Sequence, residues 1–350
     1  MSETRRGSKE TLYVTLQDVA ALAGVSAKTV SRVVNHQGEI KESTRQRIQA
    51  AIDELGYRPN ILARSLIHQR TNTLGVVAWG IDYFGPSRTM IGIEQQAEDL
   101  GYSLLLSLVS DPEGRDHERV LDSLVARRVD GILWAVPEVG ENRRWLSEVR
   151  LDGLPPIVFL SMEAKPGLTV VTVDNRSGAR QATKHLIDQG RRRIGVLTGP
   201  MAWWEARERY AGCKEMLAEA GLSVYDSFVV ESYWSAAGGE RGMQQLLRQH
   251  PDLDAVCAAS DQIALGALGA IHASGRGVPH DIAVVGFDNM PESAYFWPPL
   301  TTVYQKLSHV GRTAVRQLHQ MIEARRDLQS PYEGVVTTVE PELIVRASSA

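Results

Sequence analysis

The sequence contains only two cysteines and no long apolar run. Cys213 and Cys257 stand far apart without a Cys-x-x-Cys spacing, which argues against a disulfide framework and a thiolate zinc site. Both are therefore expected to be small buried residues. No apolar stretch approaches the roughly 20 residues of a membrane-spanning helix, and residues 1–7 lack the apolar segment of a signal peptide. We expect a cytoplasmic protein with no membrane partner.

The sequence also lacks the common catalytic signatures. It has no Gly-x-Ser-x-Gly nucleophile motif, no Gly-x-x-x-x-Gly-Lys phosphate loop and no His-Glu-x-x-His zinc motif. The nine histidines are scattered without metal-ligand spacing. We therefore expect no catalytic residue, no metal and no cofactor, and the rival interpretation as an enzyme has no residue pattern in its favour.

The composition is that of an ordinary globular protein, but the charge is unevenly distributed. Hydrophobic residues make up 43% and charged residues 23% of the 350 residues, which suits two or three domains. Residues 1–70 hold 11 Lys and Arg against 7 Asp and Glu, a balance of +4, while the whole chain has a net charge of -4. The basic N-terminal segment is the candidate for binding a polyanion.

Two short helices are predicted near the N terminus. Thr15 and Asp18 have capping-box spacing, and Gly24 is a typical left-handed helix end. Ser26 can cap a second helix, whose valines would face inward. Its outer face would carry Lys28, Arg32 and Asn35.

A third helix is predicted to begin at Ser43, capped together with Gln46, and to end at Gly56. Residues 11–58 would then form a three-helix unit that presents its second helix outward. A helix of that width fits the major groove of DNA, where Lys or Arg can reach guanine. A generic helical hairpin is the alternative.

Several segments resemble the headpiece of the lactose/galactose repressor (LacI/GalR) family. They are TLQDVAALAGVSAKTVSRVVN at residues 15–35, STR at 43–45, ELGYRPN at 54–60 and ARSL at 63–66. The resemblance implies that Ala27, Lys28 and Arg32 lie over base edges. It implies phosphate contacts for Ser26, Thr29, Ser31, Asn35 and Thr44, and hence salt-dependent affinity.

Residues 59–72 are predicted as a hinge helix and linker. Pro59 suits the first position of a helix, but so short a helix is marginal in water by itself. The resemblance implies that it pairs with its dimer mate in the minor groove, with Leu66 wedged into a base step beside Asn60 and Ala63. An incidental linker is the alternative.

From residue 73 onward, short apolar runs alternate with amphipathic segments, which predicts parallel strands joined by helices. The fold class expected is α/β, with the helix-turn-helix headpiece followed by a two-lobed, doubly wound domain over residues 73–350. This second domain resembles periplasmic sugar-binding proteins. Lobe 1 is predicted at about 73–163 plus 304–330, and lobe 2 at about 168–300 plus 331–346.

The cleft between the lobes is predicted to hold a small-molecule effector, because ligands of parallel sheets bind at the carboxyl ends of strands. Aromatic residues in loops there could stack on sugar rings, although packing within a lobe is the alternative for each. The resemblance implies sugar contacts for Ser87, Arg209, Trp234 and Asp288. A surface charge remains the alternative for Arg209, and a turn or helix cap for Asp288.

Three positions depart from the sugar-binding pattern of the family. Ser260 precedes Asp261 where the family pattern has Asn, Ser161 follows the fourth strand in place of Asp, and Leu307 replaces an aromatic residue. These positions and Trp297 complete the expected effector site. A sugar remains the expected effector, but the departures argue against a galactoside.

Together these features predict a homodimer that binds a near-palindromic operator in double-stranded DNA and represses transcription under effector control. A nucleobase or phosphosugar corepressor is an alternative effector. A solute-binding receptor without catalytic activity is an alternative function. A transport receptor would share the lobes but lack the basic headpiece, so the N-terminal segment favours the regulator.

Overall fold

The computed structural model describes residues 14–35, 37–58, 70–114, 116–147, 151–222, 228–326 and 334–350. They belong to two compact units, Met1–Thr71 and Asn72–Ala350. Among these described residues, no helix has the length and apolar character needed to cross a lipid bilayer.

The N-terminal unit contains three helices, α1 (Leu16–Ala23), α2 (Ala27–Val34) and α3 (Glu42–Leu55). The predicted capping box is confirmed, since Thr15 Oγ1 accepts from the Asp18 N–H while the Asp18 carboxylate accepts from the Thr15 N–H. Gly24 ends α1 at φ 60°, a conformation that suits glycine. Val19, Val30 and Ile48, one from each helix, are fully buried and form the centre of the headpiece core.

The predicted start of α3 is wrong. The helix begins with Lys41 as its N-cap, and no side chain caps it. Ser43 therefore lies inside the first turn rather than before it. Gln46 Nε2 donates to Glu42 Oε1 at 3.3 Å, an i to i+4 pair that requires Glu42 to be helical.

The larger unit contains two six-stranded sheets. Sheet 1 has the order β11-β5-β4-β3-β1-β2 and sheet 2 the order β12-β10-β9-β8-β6-β7. The strands of sheet 1 are β1 (Thr73–Ala78), β2 (Ser103–Leu108), β3 (Gly131–Ala135), β4 (Ile157–Leu160), β5 (Thr169–Val173) and β11 (Val336–Val339). Those of sheet 2 are β6 (Ile194–Thr198), β7 (Val229–Glu231), β8 (Ala255–Ala258), β9 (Ala283–Asp288), β10 (Thr301–Tyr304) and β12 (Glu342–Ile344). All pairings are parallel except β10 with β12.

Helices cover both faces of each sheet. Lobe 1 is sheet 1 with α4 (Phe84–Asp99), α5 (His117–Ala126) and α10 (Leu307–Arg326), and lobe 2 is sheet 2 with α6 (Asn175–Asp188), α7 (Trp204–Glu219), α8 (Ala236–Gln249) and α9 (Asp261–Ala273). Short 3₁₀ turns occur at Arg144–Ser147, Leu151–Gly153 and Pro291–Tyr295. Along β1, Leu74 and Val76 belong to one apolar cluster and Val77 to another, because alternate side chains point to opposite faces.

The predicted boundaries between the lobes are wrong at two strands. Residues 168–173 and 336–339 were expected in lobe 2, but β5 pairs with β4 and with β11 in sheet 1. Strand β10 lies between the predicted end of this part of lobe 2 at about residue 300 and the predicted return to lobe 1 at about residue 304, and it pairs with β9 in sheet 2. The chain consequently crosses between the lobes after β5, between β10 and α10, and between β11 and β12.

Candidate functional site

A cavity of about 120 Å³ lies between the two lobes. Several strands of both sheets end at it, including β1 at Ala78, β4 at Leu160 and β9 at Asp288. This is the predicted position at the carboxyl ends of the strands. Six of the predicted effector residues line it: Ser161, Arg209, Trp234, Ser260, Asp288 and Leu307.

Arg209 is the central cation of the cavity. It lies on α7 with its side chain 9% exposed, and burial lowers its pKa. Its Nε donates to Asn175 Oδ1 at 2.8 Å, Nη1 to the Ala259 carbonyl at 2.6 Å, and Nη2 to Gln305 Oε1 at 3.2 Å. These three hydrogen bonds hold the guanidinium in one orientation, so it is not a solvated surface charge.

Asp288 faces Arg209 across the cavity. Its Oδ1 lies 3.8 Å from Arg209 Nη1 and also accepts a hydrogen bond from Gln305 Nε2. Burial raises the pKa of Asp288 to about 7, because loss of solvation outweighs the attraction of Arg209. Asp288 has φ 130°, a strained value for a residue with a side chain. Such strain is common where a side chain is held for binding.

Glu205 is a second carboxyl in the cavity. It lies in the first turn of α7, four residues before Arg209, so the two side chains share one face of the helix. Its carboxyl accepts a hydrogen bond from Ser161, which follows β4 in lobe 1. Burial raises the pKa of Glu205 to about 7, although Arg209 and Arg143 partly offset the effect. Its Oε2 is buried with no hydrogen-bond partner among the described residues.

Four aromatic rings form a chain beside the cavity and bridge the lobes. Trp79 and Tyr83 of lobe 1 stack with centroids 5.6 Å apart, and Trp79 lies 5.5 Å from Trp203 of lobe 2. Trp203 contacts Trp234 edge-on at 5.8 Å. The indole N–H of Trp234 is buried without a partner among the described residues. The chain presents apolar faces and one available donor to the cavity.

The lobes also meet through backbone and ionic contacts near these rings. The Trp204 N–H donates to the Glu138 carbonyl at 3.0 Å, and the Gly140 N–H to the Ala202 carbonyl at 2.8 Å. Arg207 Nη2 lies 3.6 Å from Glu138 Oε1. These contacts connect the two lobes next to Trp203, which lines the cavity.

In the headpiece, α2 presents the predicted DNA-contacting residues at its surface. Lys28 and Arg32 are exposed on it. Ser26 Oγ accepts from the Thr29 N–H, and Asn35 Nδ2 donates to Ser31 Oγ at 3.2 Å. The remaining predicted contacts, Ala27 and Thr44, are half-buried at the ends of α2 and α3. Asn60, Ala63 and Leu66 lie outside the described residues.

Comparison with known proteins decides the family. A family model described as bacterial regulatory proteins, lacI family, matches residues 15–60, and one described as periplasmic binding protein-like domain matches residues 183–349. The transcriptional repressor PurR of Glaesserella parasuis is 35% identical over 342 residues, covering 95% of this chain and 98% of that protein. The chain belongs to the lacI family. The regulator CelR of Thermobifida fusca is 35% identical over 353 residues, with the same shares covered.

Solved structures of lacI-family proteins are similar to this chain over nearly its whole length. A lac repressor dimer bound to operator and the anti-inducer ONPF matches with a TM-score of 0.86 and 31% identity, covering 96% of this chain and 99% of that one. The CelR–cellobiose complex matches with a TM-score of 0.71 and 33% identity over the same shares. The predicted family, the fold class and the function as a DNA-binding transcriptional regulator are confirmed.

Three predicted effector residues lie outside the cavity of this lacI-family protein. Ser87 donates to the Phe84 carbonyl within the first turn of α4. Asp261 is fully buried and accepts hydrogen bonds from the Met290 N–H, Ser293 and Thr302. Trp297 is 92% exposed. Asp261 fixes the loop after β9, so its role in this structure is to support Asp288, and Trp297 faces solvent.

The sequence-based prediction also missed several polar residues that line the cavity, among them Asn175, Glu205 and Gln305. The i to i+4 spacing of Glu205 and Arg209 is a signal that places Glu205 beside a predicted site residue. Asn175 directly follows the Asp that caps α6. Gln305 has no local signal, since it reaches the cavity only because the chain crosses between lobes there.

Proposed function

We propose that this protein is a transcriptional repressor whose operator affinity is controlled by a sugar-like effector bound between the lobes. The observation that supports this most strongly is the cavity itself, where Trp203, Trp234 and Tyr83 meet Arg209 and Asp288. Aromatic faces suit the C–H faces of sugar rings, and buried charged groups suit their hydroxyls. The cavity binds its ligand and releases it unchanged.

The relatives support both the DNA-binding part and the effector-binding part of this proposal. The lac repressor structure contains a dimer on operator DNA with a small-molecule anti-inducer, and the CelR structure contains cellobiose. We propose that this chain likewise forms a homodimer on a near-palindromic operator. Two copies of α2 would then enter successive major grooves.

Within each headpiece, we assign sequence discrimination to Lys28 and Arg32, because exposed basic side chains on α2 can donate to guanine O6 and N7. The short polar side chains around them, together with Thr44, serve phosphate contacts. The hinge residues Asn60, Ala63 and Leu66 are assigned to the minor groove, where an apolar side chain can unstack a base step.

Effector and DNA are coupled through the angle between the lobes. A ligand that contacts both lobes favours one angle over the other. If only one angle lets two hinge segments fold against each other, ligand binding changes operator affinity by a coupling of about 1 to 3 kcal/mol. Both inducers and corepressors act in this way, and they differ in the angle that they favour.

A thermal-shift panel tests the effector half of the proposal. Ligand binding to the folded lobes raises the unfolding temperature, by an amount that grows with ligand concentration over Kd. We expect at least one neutral sugar to raise the Tm of the full-length protein and to change its affinity for operator DNA. A response to nucleobases alone would replace the sugar by a nucleobase corepressor.

A further inference from the structure

The cavity lining contains more acidic than basic side chains. The side chains of Glu205, Arg209 and Asp288 are its ionisable acidic and basic groups among the described residues. The single cation is already engaged by Asn175, Ala259 and Gln305 and faces Asp288. Above about pH 7, where Glu205 and Asp288 are both ionised, two carboxylates against one committed guanidinium make the cavity unfavourable for an anion.

At two of the helix N-termini beside the cavity, side chains of this chain occupy the positions where an anion would bind. The first turn of α7 contains Glu205, whose carboxyl lies where the partial positive charge of a helix N-terminus attracts anions. At the start of α9, Ser260 Oγ accepts from the Ile263 N–H. Phosphate groups bind proteins through Arg clusters or free N–H groups of this kind. Among the described residues the lining contains one arginine and so no Arg cluster, and α4, whose start also lines the cavity without a side-chain cap, lacks one N–H because of Pro86.

Two buried polar atoms in the same cavity lack partners among the described residues. They are Oε2 of Glu205, an acceptor, and the Nε1–H of Trp234, a donor. Buried polar atoms in native structures are almost always hydrogen-bonded. The ligand is the missing partner for both, so it must supply a donor to Glu205 and an acceptor to Trp234.

Glu205 is held so that one oxygen remains for the ligand. Ser161, from the opposite lobe, donates to its carboxyl. Arg143 and Arg209 both attract the carboxylate, and Arg143 is fixed by a hydrogen bond to the Val136 carbonyl. The Ser161 contact therefore links the Glu205 carboxyl to the opposite lobe, and Oε2 has no hydrogen-bond partner among the described residues.

We propose that Glu205 determines effector specificity by accepting a hydrogen bond from a hydroxyl of an uncharged sugar-like ligand and by excluding phosphorylated sugars. The inference depends on the proposed function of the cavity as the effector site. A hydroxyl satisfies Oε2 and also offers an oxygen that can accept from Trp234. A phosphate offers acceptors only and adds negative charge beside Glu205 and Asp288.

Isothermal titration calorimetry at pH 8 with matched probes tests the proposal. The probes are glucose and cellobiose, their 6-phosphates, and the nucleobases hypoxanthine and guanine. The proteins are the full-length wild type, Glu205→Gln, and Glu215→Gln. Glu215 lies on the same helix but pairs at the surface with Arg176 and Arg180, which makes it the matched control.

We expect a neutral sugar to bind the wild type at least tenfold more tightly than its phosphate. Glu205→Gln should weaken the neutral sugar about ten- to a hundredfold, the usual effect of losing a hydrogen bond to a charged group. Glu205→Gln should also reduce the difference in affinity between the neutral sugar and its phosphate. Glu215→Gln should leave the affinity for each of the two ligands unchanged.

Tighter binding of a phosphosugar, or equal binding of a neutral sugar by Glu205→Gln and the wild type, would overturn the role of Glu205 and leave the cavity as the effector site. Binding of a nucleobase alone, weakened by Glu205→Gln, would overturn the sugar effector and this inference with it. If no probe binds, both the proposed sugar effector and its recognition by Glu205 are rejected.

Discussion

Arg209 Nη2 donates a hydrogen bond to Gln305 Oε1 at 3.2 Å. Gln305 lies between β10 of lobe 2 and α10 of lobe 1, where the chain crosses between the lobes. Its amide also donates to Asp288. A ligand that displaces Arg209 or Asp288 therefore changes the hydrogen bonds of a segment that connects the two lobes. Through this segment, effector binding can change the angle between the lobes.

Gln305→Ala should reduce the effector response. The substitution leaves a donor of Arg209 and an acceptor of Asp288 without a partner, which costs about 1 to 3 kcal/mol when such groups are buried. We expect weaker effector binding and a smaller ratio between operator affinities with and without effector, measured by fluorescence anisotropy. Gln244→Ala, on the exposed face of α8, serves as the control. An unchanged ratio would show that the crossing plays no part in coupling.

Arg209→Ala should abolish the effector response while operator affinity without effector stays intact. The guanidinium lines the effector cavity, whereas the proposed DNA contacts belong to residues of the headpiece and hinge. Gel-shift titrations with and without the effector measure both quantities, with Lys214→Ala on the same helix as control and Arg209→Lys to keep the charge. A normally folded Arg209→Ala protein that loses operator affinity would mean that the effector site is misplaced.

Arg32→Ala should weaken binding to the operator far more than binding to random DNA. A base-edge contact contributes about 1 to 3 kcal/mol of discrimination, whereas loss of a phosphate contact affects all sequences alike. Competition binding at fixed salt measures the ratio, with the exposed Arg47 of α3 replaced by Ala as control. Equal losses of affinity for operator and for random DNA would show that Arg32 contacts phosphates rather than base edges.

Glu205 should make the lobes less stable as the pH rises. Its pKa is raised from 4.5 to about 7 in the folded protein, so the folded state binds a proton more tightly than the unfolded state. The resulting stability is present at low pH and is lost as the pH rises from about 4.5 through 7. Thermal unfolding of Glu205→Gln between pH 5 and 8 should therefore show a higher Tm than the wild type at pH 8 and a smaller difference at pH 5. A difference that is constant with pH would show that Glu205 does not titrate in this range.

Trp297 and Trp234 should behave differently on substitution. Trp234 lines the cavity, and its indole N–H has no hydrogen-bond partner in the described part of the chain, whereas Trp297 is 92% exposed outside the cavity. We expect Trp234→Phe, which keeps an aromatic face but removes the donor, to weaken effector binding several-fold, since a neutral hydrogen bond contributes about 1 kcal/mol. Trp297→Ala should leave it unchanged. Calorimetric titration distinguishes the two, and the reverse order would restore the sequence-based assignment of Trp297.

Local signals allowed much of the headpiece to be predicted from sequence. Thr15, Asp18 and Gly24 determine where α1 begins and ends through contacts within a few residues. The start of α3 was missed because Ser43 fits a capping pattern equally well, and the Glu42–Gln46 pair decided between the two. When two possible helix starts compete within a few residues, a small difference in free energy decides between them.

Long-range pairing limited the prediction of the lobes and of the site. Every residue of β5 is buried, as in β4, and the sequence of β5 does not reveal which sheet it joins. The sequence predicts an effector contact for Asp261, but two donors from the loop after β9, Met290 and Ser293, and a third from β10, Thr302, surround its carboxylate. Gln305 reaches the cavity only through the fold, because the chain crosses between the lobes there, whereas Glu205 could have been found from its i to i+4 spacing to Arg209.

The most direct test of the account is binding of the full-length protein to fragments of its own genome, followed by titration of the recovered fragment with neutral sugars. The account predicts that a fragment with a near-palindromic site is enriched over random DNA. It further predicts that a sugar which binds the wild-type cavity changes the affinity for that fragment, and that Arg209→Ala abolishes the change. Recovery of no fragment above random DNA, or an affinity that the bound sugar leaves unchanged, would contradict it.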